Sequence, residues 1–525
     1  MKIPHLTHIV QAMQQTDFYP HAVTSVTHLE THISHVFLTG PYAYKVKKHV
    51  DFGFLDFSTL EKRGKYCRSE VNLNRRLSKN IYLAVEKITY DDGLISLSGR
   101  GRTIEYAVKM VQLRDARAMS QLLEGSGVPP QAVEALARRL VRFYETAFIN
   151  SGIDVAELLA ATWMNCEDNF RRVQEFSGTL FDEKKIQMVR KASRTFFDEN
   201  KRLFQERIEQ GFIRDCHGDL RTEHIYFTED GIQIIDCIEF SERLRRLDIV
   251  SDLAFLIMDL DYRGFSAMGF QLLKTYMDLT RDADAAVLLN FYKCYRAIVR
   301  LKVSCLRLQE LDPKSDTGKL VLKDIQTYAG LAHHYAVLFS RPRLWVVCGM
   351  PASGKSTVAG ALAMKRGIQV FHSDVIRKAL FRKIPGNEGA MPYGEGIYSE
   401  QATSLTYQQL LVVAKEALQQ GSSVVIDATF QTRQRRLAAC CLAREMSASI
   451  LFVECQAPDS LIRKRLLQRE TESSVSDARL FHFQAFKERF EPMDDIDQAI
   501  HISIDTSKPL KECLFDIFRF ELIAF

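Results

Sequence analysis

Gly349-Met350-Pro351-Ala352-Ser353-Gly354-Lys355-Ser356 matches the pattern G-x-x-x-x-G-K-[ST] at every fixed position. An apolar run, Leu344–Cys348, precedes it, and a helix is expected from Lys355 to Lys365. Strand, loop and helix in that order make an anion cradle. The glycines let backbone N–H groups curl round a phosphate, and the dipole of the helix that follows favours negative charge there. Lys355 is of the type and spacing that reaches β- and γ-phosphates, and the Ser356 hydroxyl is placed to ligate Mg²⁺. The expected nucleotide-binding residues are Gly349, Met350, Pro351, Ala352, Ser353, Gly354, Lys355, Ser356 and Thr357.

Reading outward, Pro342 in Ser340-Arg341-Pro342-Arg343 discourages a helix from crossing that point. This divides the chain into expected domains 1–340 and 341–525. After the seam, strands are expected at Leu344–Cys348, Ile368–Phe371, Ser423–Ile426, Ser449–Glu454 and Ala499–Ile504, with a helix from Glu400 to Gln420 among those between them. These strands are short apolar runs without alternation, as in a parallel sheet covered on both faces. The expectation is a five-stranded α/β domain. Earlier in the chain, strands are expected at Val36–Leu38, Tyr42–Lys47, Ile225–Phe227 and Gly231–Ile235, and a mostly helical stretch from Pro129 to Glu209. That order predicts an α+β domain with a small sheet lobe before a large helical lobe.

Three features surround the glycine-rich loop. Asp374, in His372-Ser373-Asp374, falls at the carboxyl end of the second strand, where open α/β sheets bind ligands. It reads as a base for a substrate hydroxyl or as a helix N-cap. Asp427 ends the third strand and reads either as a water-mediated Mg²⁺ carboxylate or as a cap. Arg463, Arg465 and Arg469 lie on a helix leading into the polar segment Glu470–Asp477, and Arg469, nearest that segment, is the one expected to meet phosphoryl charge. Gly349–Thr357, Ser373–Leu380, Asp427–Phe430 and the Arg463–Arg469 helix together resemble the P-loop small-molecule and polynucleotide kinases and the zeta-toxin-like kinases. The resemblance covers the last 185 residues and implies transfer of the γ-phosphoryl group of ATP to a hydroxyl. The glycine-containing loop Pro385–Tyr398 is expected to contribute to acceptor choice.

A second constellation is Cys216-His217-Gly218-Asp219-Leu220, followed by Ile234-Ile235-Asp236, with Tyr44-Lys45-Val46-Lys47 upstream. In this order the segments resemble the aminoglycoside phosphotransferase and protein-kinase-like family. The resemblance implies that Asp219 is the catalytic-loop Asp, Asp236 the Mg²⁺ carboxylate, Lys45 the phosphate lysine and Glu70 its helical ion-pair partner. Lys47, on the same strand face, is the alternate lysine. Asp248 and Asp252 would brace the catalytic loop. The position that holds a metal-binding Asn in the family is His224 here, which makes it the second candidate metal residue; imidazole is a poor ligand for hard Mg²⁺, so either the site uses one metal or an altered geometry, or it has lost catalysis and only binds. Between Thr24 and Phe37 there is no glycine-rich loop. Asp51-Phe52-Gly53-Phe54 is in the wrong place for a metal motif and reads as a turn packing aromatic residues.

The bulk numbers are those of a globular protein: 525 residues, 46% hydrophobic, 26% charged, with a net charge of +5. So balanced a charge makes no case for nucleic-acid binding. No run approaches the ~18 apolar residues of a membrane span. The segment Met1–His8 lacks a signal-peptide pattern, and the 11 dispersed cysteines show no C-x-x-C pair, so a cytoplasmic location is expected. The seven histidines between His5 and His49 have no companion cysteines and read as surface or core histidines. The whole reads as an ATP- and Mg²⁺-dependent kinase with two potential sites. Its partners would be ATP and a hydroxyl-bearing small molecule or polynucleotide end. In the alternative reading, the N-terminal half is a ligand- or partner-binding pseudokinase regulating a C-terminal NTPase switch.

Overall fold

The computed structural model describes residues 5–53, 55–148, 154–176, 178, 180–381, 396–471 and 479–524. Of the expected features, Phe54, most of the loop Pro385–Tyr398, most of the polar segment Glu470–Asp477 and the Arg469 side chain lie outside the described residues. The chain forms two compact units. The first holds Met1–Arg190, Phe204–Thr280 and Phe291–His333; the second holds Lys191–Leu203, Arg281–Asn290 and His334–Phe525.

The first unit opens with a six-stranded antiparallel sheet of β1 (Thr27–Glu30), β2 (Ser34–Leu38), β3 (Tyr42–Lys47), β4 (Tyr82–Asp91), β5 (Leu94–Leu97) and β6 (Arg102–Val111), in the order β1-β2-β3-β6-β4-β5. Period-two alternation along β3 decides what each side chain does. Tyr44 and Val46 join the core with Ile9, Met13, Phe37 and Ile88. Lys45 and Lys47 take the opposite face, towards the helix Leu60–Asn74. That helix starts at Thr59, whose side chain accepts the Lys62 N–H. Its buried residues Arg63, Cys67, Glu70, Val71 and Asn74 follow helical spacing and bring Glu70 to the lysines.

The helical lobe contains the helices Pro130–Thr146, Val155–Gln174, Ile249–Tyr262 and Ser266–Thr280, among others. Ile249–Leu260 is buried throughout, as an apolar helix at the centre of a lobe should be. Two small antiparallel pairs frame the segment Cys216–Leu220. They are β7 (Ile213–Asp215) with β10 (Arg246–Asp248), and the hairpin β8 (Ile225–Thr228) with β9 (Gly231–Ile234). The segment at Asp51 turns, with Phe52 N donating to Leu55 O at 3.0 Å and Gly53 N to Asp51 Oδ1 at 2.9 Å, and Leu55 and Phe57 just beyond it are buried.

In the second unit, β11 (Arg343–Cys348), β12 (Gln369–His372), β13 (Val424–Asp427), β14 (Ser449–Gln456) and β15 (His501–Asp505) form an all-parallel sheet in the order β12-β13-β11-β14-β15. Leu344, Val346 and Cys348 face one apolar layer, and Trp345 and Val347 the other. Both faces are covered, which accounts for the unbroken apolar strands. The architecture is therefore α+β followed by α/β: a unit with a six-stranded sheet and a large helical lobe, then a five-stranded parallel unit that carries the glycine-rich loop. Among the described residues, no helix is long and apolar enough to cross a membrane.

Candidate active sites

The loop between β11 and the helix Lys355–Arg366 is set by backbone that side chains would obstruct. Gly349 has φ +126°, and a Cβ there would lie 2.4 Å from the Cys455 carbonyl oxygen. Gly354 has φ +93° and begins the helix, and Ala352 adopts φ +62° between them. The first helical bond runs from Val358 N to Gly354 O at 3.1 Å, so the preceding N–H groups of Lys355, Ser356 and Thr357 have no intrahelical acceptor. Lys355 Nζ turns back into the loop and donates to the Met350 carbonyl at 2.7 Å. Ser356 and Thr357 are exposed, whereas the Ser353 hydroxyl is buried without a hydrogen-bond partner.

Register puts Asp427 beside the loop. Asp427 pairs with Val347 on β11 and with His372 on β12, and is 5% exposed. It accepts from His372 Nδ1 at 2.7 Å, and this hydrogen bond raises the His372 pKa above the ordinary imidazole value. Asp374 lies in the first turn of the helix Ser373–Phe381, at the carboxyl end of β12. The three arginines separate in role. Arg463 stacks on Phe483 at 4.4 Å. Arg465 donates to Ala352 O at 3.3 Å and Thr506 O at 3.0 Å, tying the loop to the end of β15. Arg469 lies on the helix Asp459–Thr471.

In the first unit, Lys45 pairs with Asp236 Oδ1 at 2.6 Å and Glu70 Oε1 at 2.9 Å. Lys47 is buried against Glu70 Oε2 at 2.7 Å and Glu239, beneath Phe57. Burial opposes charge on Lys45, but Asp236 and Glu70 overcome it and raise its pKa. Asp236 has φ +64°, and its N–H donates to Tyr82 OH at 3.1 Å. Arg221 grips both oxygens of Asp219, Nε to Oδ1 and the terminal nitrogen to Oδ2, each at 3.0 Å. Burial would raise the Asp219 carboxyl, yet the charge of Arg221 and its hydrogen bonds hold it well below the usual range. His224 Nδ1 donates to Asp219 O at 2.8 Å, and its Nε2 stands 3.7 Å from Asp236 Oδ2.

The segment Cys216–Leu220 is held from below. Asp252 accepts the N–H groups of His217 at 3.1 Å and Gly218 at 2.9 Å, together with Tyr144 OH at 3.1 Å. Asp248 caps the helix Ile249–Tyr262 and binds the buried Arg207 through both oxygens. Gly218 has φ +86°, where a Cβ would lie 2.9 Å from the Leu244 carbonyl oxygen.

Residues 344–493 match the AAA domain family. The uncharacterized protein Rv2004c of Mycobacterium tuberculosis is 31% identical over 454 residues, 86% of this chain and 88% of its own length, and Mb2027c of Mycobacterium bovis gives the same values. The chain belongs to the family of these mycobacterial proteins. Among solved structures, it is similar to a choline/ethanolamine kinase family protein from Mesorhizobium loti, with 14% identity, 63% of this chain and 99% of that chain covered, and a TM-score of 0.39. It is also similar to a gluconokinase from Sinorhizobium meliloti, with 20% identity, 35% and 92% covered, and a TM-score of 0.26.

Each unit thus gathers its own set of sequence-predicted residues. Gly349–Thr357, Asp427 and Asp374 meet at the carboxyl ends of β11, β13 and β12. Lys45, Lys47, Glu70, Asp219, His224 and Asp236 converge in the first unit. Four residues that shape these sites had no assigned role in the sequence reading: Arg221, Glu239, His372 and Thr506. Arg221 had a readable signal, a cation two positions after Asp219. Glu239 and Thr506 had none, since their partners lie 192 and 153 residues away.

Proposed function

We propose that the chain is an ATP-dependent phosphotransferase whose P-loop unit moves the γ-phosphoryl group of ATP to a hydroxyl acceptor. The observation that carries this reading is Lys355, turned inward on Met350 O within a loop whose following N–H groups have no intrahelical acceptor. The buried, unpaired Ser353 hydroxyl and the glycine-only approach of Gly349 to Cys455 fit a nucleotide phosphate in that cradle. Lys355 would bind the β- and γ-phosphates. Ser356, and Asp427 through water, would hold Mg²⁺, which when bound supplies charge neutralisation at the phosphates. Asp374 would accept the proton of the acceptor hydroxyl. Arg469 would face the transferring group, and Arg465 would fix the loop that presents it.

The first unit would supply a second phosphotransferase site, with Lys45 and Glu70 on the nucleotide, Asp236 on the metal and Asp219 orienting the acceptor. Lys47, enclosed by Glu70 and Glu239, would brace Glu70. One observation favours the alternative of a ligand-binding pseudokinase: both oxygens of Asp219 are already held by Arg221. The two readings of this unit separate in one experiment. Wild-type, Asp374→Asn and Asp219→Asn proteins would be screened for label transfer from γ-labelled ATP to nucleosides, oligonucleotide ends, sugars and aminoglycosides. The phosphotransferase reading expects a product lost in Asp374→Asn, and a second product lost only in Asp219→Asn marks the first unit as an enzyme. ATP hydrolysis with no phosphorylated product would refute transfer and favour a switch.

A further inference from the structure

We propose that the metal ion of the first unit is taken through a nitrogen ligand, His224 Nε2, paired with Asp236 Oδ2, so that this site prefers manganese-class divalent ions to Mg²⁺. The inference rests on reading the Lys45–Asp236 cluster as a nucleotide site. His224 Nδ1 lies 2.8 Å from the Asp219 backbone oxygen. A carbonyl only accepts, so the proton sits on Nδ1 and the ring is fixed with Nε2 pointing the other way. A backbone carbonyl behind one imidazole nitrogen is the usual support of a histidine that ligates metal with the other. The ring is 8% exposed, which leaves it little room to turn.

Asp236 is arranged to match. Its Oδ1 is taken by Lys45 at 2.6 Å, which leaves Oδ2 on the side of His224, 3.7 Å from Nε2. One ion at about 2.1 Å from each atom spans that gap. Glu223 Oε1 stands 3.5 Å from the same nitrogen, and the terminal nitrogen of Arg221 donates to it in a long hydrogen bond of 3.5 Å, which the ion would replace. Among the described residues, no group of three or more His, Cys, Asp or Glu side chains forms a ready-made cage. Nucleotide phosphates and water would therefore complete the coordination. Mg²⁺ demands oxygen ligands and close octahedral geometry, whereas Mn²⁺ and the later first-row ions accept imidazole.

The test uses the full chain carrying Lys355→Ala, which weakens the P-loop site, with Mn²⁺ and ADP as probes. Electron spin-echo spectroscopy of the bound Mn²⁺ reads directly whether an imidazole nitrogen is attached. The expected result is nitrogen coupling that disappears in Lys355→Ala/His224→Asn. Mn²⁺ affinity relative to Mg²⁺ should fall there by about tenfold or more. Asp236→Asn should remove the bound ion, which assigns the signal to this unit. Coupling that survives His224→Asn would overturn the inference. Mn²⁺ bound with ADP and sensitive to Asp236→Asn, yet without nitrogen coupling when His224 is intact, overturns the inference alone and leaves the nucleotide-site reading standing. No ADP-dependent Mn²⁺ binding sensitive to Asp236→Asn overturns both.

Discussion

Replacing Gly349 by alanine tests the phosphate cradle where it has least tolerance. The added methyl would meet the Cys455 carbonyl oxygen at 2.4 Å, whereas real side chains keep at least 3.0 Å, so about 0.6 Å must be found. Cys455 lies on β14, which is paired with β11 on one side and β15 on the other, so the strand cannot yield cheaply. The loop must move instead, and its φ of +126° is itself strained for alanine. Backbone strain together with overpacking comes to roughly 2–4 kcal/mol. If that falls on the nucleotide-bound loop, ATP affinity drops roughly 30- to 1,000-fold. The assay is KM for ATP in P-loop-dependent turnover, with thermal melting alongside. Gly360→Ala is the control, because that helical position has nothing within 4 Å; it should stabilise by about 1 kcal/mol and leave KM unchanged. A wild-type KM in Gly349→Ala would refute the cradle geometry.

Other substitutions probe the first unit. Lys47→Met leaves Glu70 and Glu239 buried without their shared cation and should cost about 3–5 kcal/mol in urea denaturation. Lys45→Met leaves Asp236, whose side chain is 42% exposed, and Glu70, which keeps Lys47, so it should cost clearly less; equal losses would contradict the division of labour between the two lysines. Burial lowers the Lys302 pKa to about 8, with Asp168 opposing and Arg172 and Arg243 adding to the shift. Between about 8 and its ordinary value of 10.5 the unfolded chain binds more protons, so stability rises with pH across that window. Lys302→Met should remove that rise and stabilise the protein at pH 7 by on the order of 1–3 kcal/mol. A rise that persists would show that another group causes it. Asp252→Ala strips acceptors from His217 N, Gly218 N and Tyr144 OH, and should cost about 3 kcal/mol or more by the same denaturation measurement.

The P-loop unit was legible because its signals are local. Glycines at fixed spacing, apolar strands covered on both faces and acids at strand ends all lie within a few residues of what they define. The sheet of the first unit was only partly legible. β4 and β6 pair over long stretches with irregular register between Tyr82 and Ala84 and between Ile88 and Thr89, and neither strand stands out as an apolar run. The segments Lys191–Leu203 and Arg281–Asn290 join the second unit although each is followed in sequence by residues of the first, a choice made by tertiary packing. Alternation placed Lys45 and Lys47 on one face but could not rank them. The ranking comes from Glu239, which reaches Lys47 from 192 residues away. Asp219 was readable from its neighbours, whereas the grip of Arg221 on both its oxygens depends on side-chain direction within one turn of the loop.

The central claim, phosphoryl transfer through the P-loop unit, is tested most directly by Lys355→Ala. The measurement is transfer of label from γ-labelled ATP to the hydroxyl acceptor found by screening, with wild-type and variant proteins compared at equal folded concentration. The phosphorylated acceptor should disappear in Lys355→Ala, while the variant melts as the wild type does. Undiminished formation of that product by the variant would contradict it.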